Sequence, residues 1–238
     1  MSDLVLTQTD ARVCTITLNR PEVRNALNTE LIDALTAAFV AVDADDAADV
    51  VILTGSDPSF CAGLDLKELA ETGRNLGLGA DAPANPWRAL AEIRVPVIGA
   101  INGPVATGGL ELALWCDFLI ASDRARFADT HAKVGVVPGA GMTALLPQAV
   151  GARWAKEMSF TARFIDAAEA YRIGLVNHVV EHDRLLPYAR EIAEEVQACR
   201  QPAVRAIKQT YGEGLSTTHG EHLSLERRRF KEWTTGQA

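Results

Sequence analysis

The chain has 238 residues, 48% of them hydrophobic and 23% charged, with a formal net charge of −8. That apolar fraction suits one large domain, or a domain with a smaller appendage, and is too high for a disordered chain. The acidic balance argues against a nucleic-acid surface, and no apolar run approaches the roughly 20 residues of a membrane helix.

The start, Met-Ser-Asp-Leu-Val-Leu-Thr, lacks the basic and apolar regions of a signal peptide, so a cytoplasmic protein is expected. A small anionic ligand held by a few local cations and N–H groups remains compatible with the charge. Cys14, Cys61, Cys116 and Cys199 lie far apart with no C-x-x-C, which reads as reduced, mostly packed thiols.

Leu4–Thr9 and Val13–Leu18 alternate apolar and polar residues around Asp10-Ala11-Arg12, the pattern of a β-hairpin. After the polar loop Asn19–Asn25, Asn28 is placed to cap a helix, with Leu31 where a capping box would have Glu. Leu31, Leu35, Ala38, Phe39 and Val42 form its apolar stripe. Val50–Thr54 is a short continuous apolar run, expected as a buried strand.

Gly55–Leu66 turns into a helix start with Asp65, Lys67 and Glu68, and Ala70–Asn85 reads as a mobile loop. Pro86–Ile93 is a short helix, and Val95–Ile101 and Phe118–Ala121 are strands. Phe127–Gly135 has no clear period. Helices are expected at Met142–Val150, Trp154–Phe160 and Ala167–Tyr171, a last strand at Leu175–Val180, and helix from Asp183 onward. The loose strand-strand-helix rhythm suggests a spiral of ββα units.

The stretch Ile98–Cys116 carries the chemistry. An apolar strand passes through a Gly/Pro turn into an apolar helix that starts near Gly108-Gly109, with Glu111 one turn further on. N–H groups at a helix start have no intrahelical acceptor and can hold an anion or a developing oxyanion. A carboxylate one turn in can point at whatever they hold. The plainer reading is that Glu111 only complements the helix dipole.

Several ordered motifs together resemble the crotonase (enoyl-CoA hydratase/isomerase) family. They are Phe60-Cys61-Ala62-Gly63-Leu64-Asp65-Leu66-Lys67-Glu68 and Asn102-Gly103-Pro104-Val105-Ala106-Thr107-Gly108-Gly109-Leu110-Glu111-Leu112, with Cys116–Ser122, Gly135–Gly141, Asn19-Arg20-Pro21 and Arg24-Asn25-Ala26-Leu27 in register around them. The resemblance covers roughly residues 4–235.

It implies an α/β fold, with a crotonase-type spiral of ββα units over residues 1–182. A C-terminal helical region over 183–238 would build a homotrimer or a dimer of trimers and cover the active site. It also implies a coenzyme A thioester as substrate, with no further cofactor and no metal. The two oxyanion donors would be the N–H groups of Leu64 and Gly108. The coenzyme A contacts would involve Arg24, Ala26, Leu27, Ala62, Gly63, Asp65, Leu66 and Lys67.

A hydratase of this family uses two carboxylates. One falls on Glu111, and the other position, twenty residues later, holds His131. Glu111 would activate water and His131 would supply a proton near neutral pH. Asp129 is an alternative carboxylate, on the same face as His131 only if the segment is extended. His131 as a packed histidine is the plainer alternative.

Enoyl-CoA hydration is the leading function. Isomerisation, thioester hydrolysis and non-catalytic acyl-CoA binding remain as alternatives. Asp65 reads as a helix cap and Cys61 as a packing residue. Lys67, Arg20 and Arg24 read as phosphate contacts or solvated surface. Trp87 and Leu90 would line an acyl pocket or pack the core. The pairs His178/His182 and His219/His222 read as surface histidines.

Overall fold

The computed structural model describes residues 4–44, 46, 48–72 and 84–236. Strands β1 (Val5–Asp10) and β2 (Val13–Leu18) form the expected antiparallel hairpin, Val5 opposite Leu18. Helix α1 (Thr29–Ala44) follows, with the Asn28 carboxamide oxygen accepting the Leu31 N–H at 3.0 Å. A second free N–H of the first turn is satisfied from a distance: Glu68 Oε2 accepts the Thr29 N–H at 2.9 Å.

Strands β3 (Val50–Gly55), β4 (Val97–Ile101), β6 (Phe118–Ser122) and β9 (His178–Val180) add in parallel to give the sheet order β1-β2-β3-β4-β6-β9. Parallel neighbours need crossovers, which place helices on the faces and demand apolar residues on both sides of a strand. β3 shows this directly, since all six of its residues are buried.

Alternate residues go to opposite layers. Val13, Val50, Ile52, Ile98, Ala100 and Ile120 pack beneath Leu185, Ala189 and Ala193 of helix α8 (Leu185–Gln197). Cys14, Ile16, Leu18, Val51, Leu53, Val97, Ile101 and Leu119 face the larger core with α1.

That larger core also holds α3 (Pro86–Glu92), α4 (Gly108–Leu114) and α6 (Met142–Thr161). Gly151 (φ 76°, ψ 154°) interrupts α6, so the two expected helices are two arms about one glycine. Helix α2 is Leu66–Thr72, and α7 is Ala167–Arg172. Ala70–Thr72 are thus helical and Asn85 caps α3, its side chain accepting the Arg88 N–H at 2.9 Å. The rest of the expected mobile loop, 73–83, lies outside the described residues.

A second, three-stranded sheet joins β5 (Val105–Ala106), β7 (Arg126–Ala128) and β8 (Ile165–Asp166) in the order β5-β7-β8. Where the sequence showed no period, the chain forms β7 and the short helix α5 (His131–Val134). β5 and β7 are parallel, Val105 beside Phe127. Each leads into a short helix, α4 or α5, and this side-by-side arrangement is what brings Glu111 and His131 together. The strand read at Leu175–Val180 is shorter than expected, with only its last three residues in the sheet.

Helices α9 (Gln201–Gly214) and α10 (His219–Thr235) pack on each other, with Thr218 and Glu221 forming a reciprocal capping box. They leave Ile207, Tyr211, Phe230 and Trp233 exposed, as is Leu215 just after α9. A recess of about 1770 Å³ lies where α9 and α10 meet the body, lined in part by Trp115, Leu145, Tyr211 and Trp233. Among the described residues no helix is long and apolar enough to cross a membrane.

Candidate active site

Two turns meet at the start of α4. The first, 61–65, is stitched on both sides by backbone hydrogen bonds. Ala62 N–H donates to Arg24 O (3.0 Å), Leu27 N–H to Gly63 O (2.8 Å) and Asp65 N–H to Leu27 O (2.9 Å). Ala106 N–H donates to Cys61 O (3.1 Å) on the other side. Leu27 and Leu64 form an isolated parallel bridge. In such a bridge the neighbours of Leu64 serve Leu27, so the Leu64 N–H points to the opposite side of the segment.

The second turn leaves β5 through Thr107. This β-branched residue holds φ 45°, ψ −120°, and its N–H donates to Ala128 O at 3.2 Å. A β-branched residue at positive φ is strained and persists only where its surroundings enforce it. Glu111 N–H is bonded back to Thr107 O (2.9 Å), so the N–H groups of Gly108, Gly109 and Leu110 precede the helical ladder.

The two turns touch. A Cβ on Gly108 would lie 3.9 Å from Gly63 Cα, and one on Gly109 would lie 2.4 Å from Cys61 O. Gly63, at φ 94°, could not carry a side chain without striking Thr107 Oγ1. Trp87, buried beneath, donates its indole N–H to Gly108 O at 3.0 Å. Its position under the cradle was not distinguishable in sequence from ordinary core packing. Leu90 is buried in the main core.

Glu111, one turn beyond, is buried. Its Oε1 accepts the N–H groups of Ala140 (2.9 Å) and Met142 (3.2 Å), and its Oε2 lies 3.7 Å from His131 Nε2. Burial raises its carboxyl above the ordinary glutamate range. The Ala140 and Met142 N–H groups and His131 oppose that rise, and the Asp129 charge adds to it. Trp115, one helical turn after Glu111, donates its indole N–H to Ala140 O at 2.8 Å. One residue, Ala140, is thus held through both of its backbone groups, the N–H by the carboxylate and the C=O by the indole.

His131 opens α5 and is buried, with Nδ1 2.6 Å from Asp129 Oδ1. Asp129 is also buried. Burial alone would raise its carboxyl, but the hydrogen bonds from the His131 ring and the His131 N–H to Oδ1, with the nearby Ser159 side chain, override it and hold the group below the usual aspartate range. The expectation that Asp129 needs an extended segment to share a face with His131 is corrected here. The chain turns at Thr130 (φ −98°, ψ 11°), and Asp129 Oδ1 also accepts the His131 N–H at 3.2 Å.

The residues matched to coenzyme A contacts border the first turn. Arg24 adopts φ 56°, Ala26 and Leu27 are buried, and Ala62 is exposed beside the tightly packed Gly63. Leu66 and Lys67 are exposed at the start of α2. Asp65 Oδ1 accepts the Lys67 N–H (3.1 Å) and Glu68 N–H (3.3 Å), while Oδ2 pairs with Arg20 at 3.2 Å. Arg20 also donates to Ala26 O at 2.6 Å, so it braces the turn from inside.

Cys61 donates to Asn25 O, and burial pushes its thiol up to about 12, a packed residue. His182 lies between Asp57 (3.1 Å) and Ser122 (3.0 Å), while His178 and His222 sit edge-on to Tyr188 and Tyr211. Among the described residues no group of three His, Cys, Asp or Glu is arranged to hold a metal ion.

A carbonyl oxygen placed against the Leu64 and Gly108 N–H groups would meet fixed dipoles, with an acid/base pair one turn away. Such an arrangement suits a reaction in which negative charge develops on an oxygen beside a proton-transfer pair. Comparisons with known proteins bear on the family. A family model described as Enoyl-CoA hydratase/isomerase matches residues 8–237. A probable enoyl-CoA hydratase of Rhizobium meliloti is 42% identical over 96% of this chain and 89% of its own length.

The solved enoyl-CoA hydratase of Mycobacterium tuberculosis is 48% identical, with a TM-score of 0.81 over 98% of this chain and all (100%) of that one. That of Bacillus anthracis is 34% identical, with a TM-score of 0.89 over 96% and 90%. The motifs, the strand order and these likenesses converge, and the chain belongs to the enoyl-CoA hydratase/isomerase, or crotonase, family.

Proposed function

We propose that this chain is an enoyl-CoA hydratase, adding water across the 2,3 double bond of an acyl-CoA thioester. The observation that carries this reading is the placement of Glu111. It is buried, held by two N–H groups, and lies one helical turn from the Gly108 N–H and 3.7 Å from His131.

In this reading the thioester oxygen sits between the Leu64 and Gly108 N–H groups. Glu111 takes a proton from water as the water oxygen bonds to Cβ. The double-bond electrons move onto the thioester oxygen as an enolate. Each N–H donor in such a cradle is worth about 2.7–4 kcal/mol of barrier. The enolate then collapses as Cα takes the Nε2 proton of a His131 ring that enters the cycle protonated on both nitrogens, which leaves the ring neutral with its proton on Nδ1. Transfer of the proton from Glu111 to His131 restores the starting state, so water is consumed and nothing else changes.

The coenzyme A portion would run along Arg24, Ala26 and Leu27 and the facing Ala62–Lys67 turn. The exposed apolar residues of α9 and α10 support assembly into a homotrimer or a pair of trimers, which sedimentation velocity would report. The experiment that tests the activity offers 2-enoyl, 3-enoyl and saturated CoA esters of several chain lengths. Loss of the conjugated absorbance with 2-enoyl esters is expected. Isomerisation of the 3-enoyl ester or release of free thiol, without hydration at any chain length, would overturn the reading in favour of an isomerase or a hydrolase. Binding of CoA esters with no turnover would favour a non-catalytic binder.

A further inference from the structure

We propose that Asp129 is a positioning residue of this site, fixing the ring orientation and the tautomer of His131; the inference rests on the hydratase reading for its kinetic consequence only. Asp129 touches neither the cradle glycines nor Glu111 by any hydrogen bond. It acts through the imidazole. Its Oδ1 accepts from both Nδ1 (2.6 Å) and the backbone N–H (3.2 Å) of His131, so one carboxylate oxygen fixes main chain and ring together.

A ring nitrogen 2.6 Å from a buried carboxylate that is held ionised must carry its proton there, since two acceptors would repel at that distance. In the neutral ring the Nε2 lone pair is then left facing Glu111 Oε2 at 3.7 Å. When Nε2 is also protonated, that proton points to the same place. Either way the exchangeable position lies between the two side chains and not toward the protein interior.

Without Asp129 the neutral ring could place its proton on Nε2 and turn its lone pair inward, which would leave Glu111 facing a fixed donor and stop the return of the proton. The charged groups around the ring are Asp129 from the turn before α5 and Glu111 from α4. Asp129 Oδ2 is buried with no hydrogen-bond partner among the described residues, so the carboxylate is held through Oδ1 alone. The carboxylate expected opposite Glu111 is therefore replaced by a histidine together with the carboxylate that orients it.

Two measurements test this. The first is two-bond 1H–15N correlation on histidine-labelled, ligand-free protein. His131 is expected as the Nδ1–H tautomer in its neutral form, and Asp129→Ala is expected to lose that signature. The second is a double-mutant cycle. Asp129→Ala should lower kcat by about 10²-fold, within the usual range for one acid/base group, with KM changed less than about threefold. On a His131→Gln background the same change should cost less than about threefold more.

Should Asp129→Ala fail to fold, Asp129→Asn, which keeps the side-chain shape, takes its place in both arms. An Nε2–H tautomer in the unaltered protein, or equal losses on both backgrounds, would overturn the proposal. The NMR arm needs no substrate. If it holds while hydration is absent, only the hydratase reading falls.

Discussion

The proposed oxyanion cradle and the proposed acid/base pair lie side by side but are built differently. The cradle is backbone. Its donors are aimed by the Leu27–Leu64 bridge and by the turn through Thr107, and its geometry depends on what Gly63 and Gly109 lack. The acid/base pair is made of side chains from two separate segments, Glu111 on α4 and the Asp129–His131 turn, with the 140–142 backbone holding Glu111. A backbone device is indifferent to most side-chain changes and intolerant of added bulk. A side-chain device can be retuned by one substitution while the fold stays intact.

This contrast orders the expected effects of mutation. The largest is Glu111→Gln, which keeps the volume and removes the base. kcat should fall about 10²–10⁴-fold with KM within a few-fold, measured by loss of enoyl absorbance. An unchanged kcat would remove Glu111 from the chemistry.

Next is Gly109→Ala, whose Cβ would lie 2.4 Å from a backbone oxygen that cannot swing aside. It should lower stability by about 1–3 kcal/mol and, by displacing the donors, lower kcat about 10²-fold. Gly108→Ala is the sharper comparison. The nearest atoms to its Cβ would be the Trp87 ring at 3.3 Å, Leu27 at 3.6 Å and Gly63 Cα at 3.9 Å, all without a severe clash. It should cost much less, and equal losses at the two glycines would contradict the cradle geometry.

Trp115→Phe removes the donor on Ala140 O while keeping the aromatic bulk. One hydrogen bond of about 0.5–1.5 kcal/mol is lost, so kcat should fall about 2–10-fold as the Glu111 carboxylate loosens. The smallest effect is expected at Leu64→Ala, which leaves the N–H in place. It should lower kcat by less than about threefold if the donor belongs to the backbone alone.

The raised carboxyl of Glu111 gives a pH test with a definite sign. As a base it works only when ionised, so activity on the acid side should fall away at a pH above the ordinary glutamate value of about 4.3. For stability, a carboxyl raised in the folded state supports folding below its unfolded value, and that support is lost as pH rises through the raised value. Glu111→Gln should therefore become more stable relative to the unaltered protein as pH rises through that range, in paired urea titrations. Asp49 has the opposite sign. The Arg12 hydrogen bond holds it low against burial, so its stabilisation should persist above about pH 4 and be lost below.

The same contrast explains what the sequence made legible. The hairpin and α1 were readable because their periods follow from which face is buried, and β3 because a strand covered on both faces is a continuous apolar run, with Val50/Ile52 facing one layer and Val51/Leu53 the other. The meeting of the two glycine turns was readable through ordered motifs, because backbone devices leave glycines at fixed spacing. The partners of Glu111 were not readable, since Ala140 and Met142 lie 29 and 31 positions away and contribute only N–H groups, which every residue possesses.

Asp129 and His131 were visible as residues, but not as a pair. A period-two argument assumes extended chain, and the turn at Thr130 joins them instead. The helix ends shifted for a similar reason. Gly151 carries α6 through a break that a propensity reading takes as two separate helices.

A crystal structure with a bound acyl-CoA tests the central claim most directly, through four distances. The thioester oxygen should lie about 2.7–3.1 Å from both Leu64 N and Gly108 N, with Glu111 and His131 reaching Cβ and Cα directly or through one water. A thioester oxygen turned away from either N–H, or a Cα–Cβ bond beyond reach of both side chains, would contradict it.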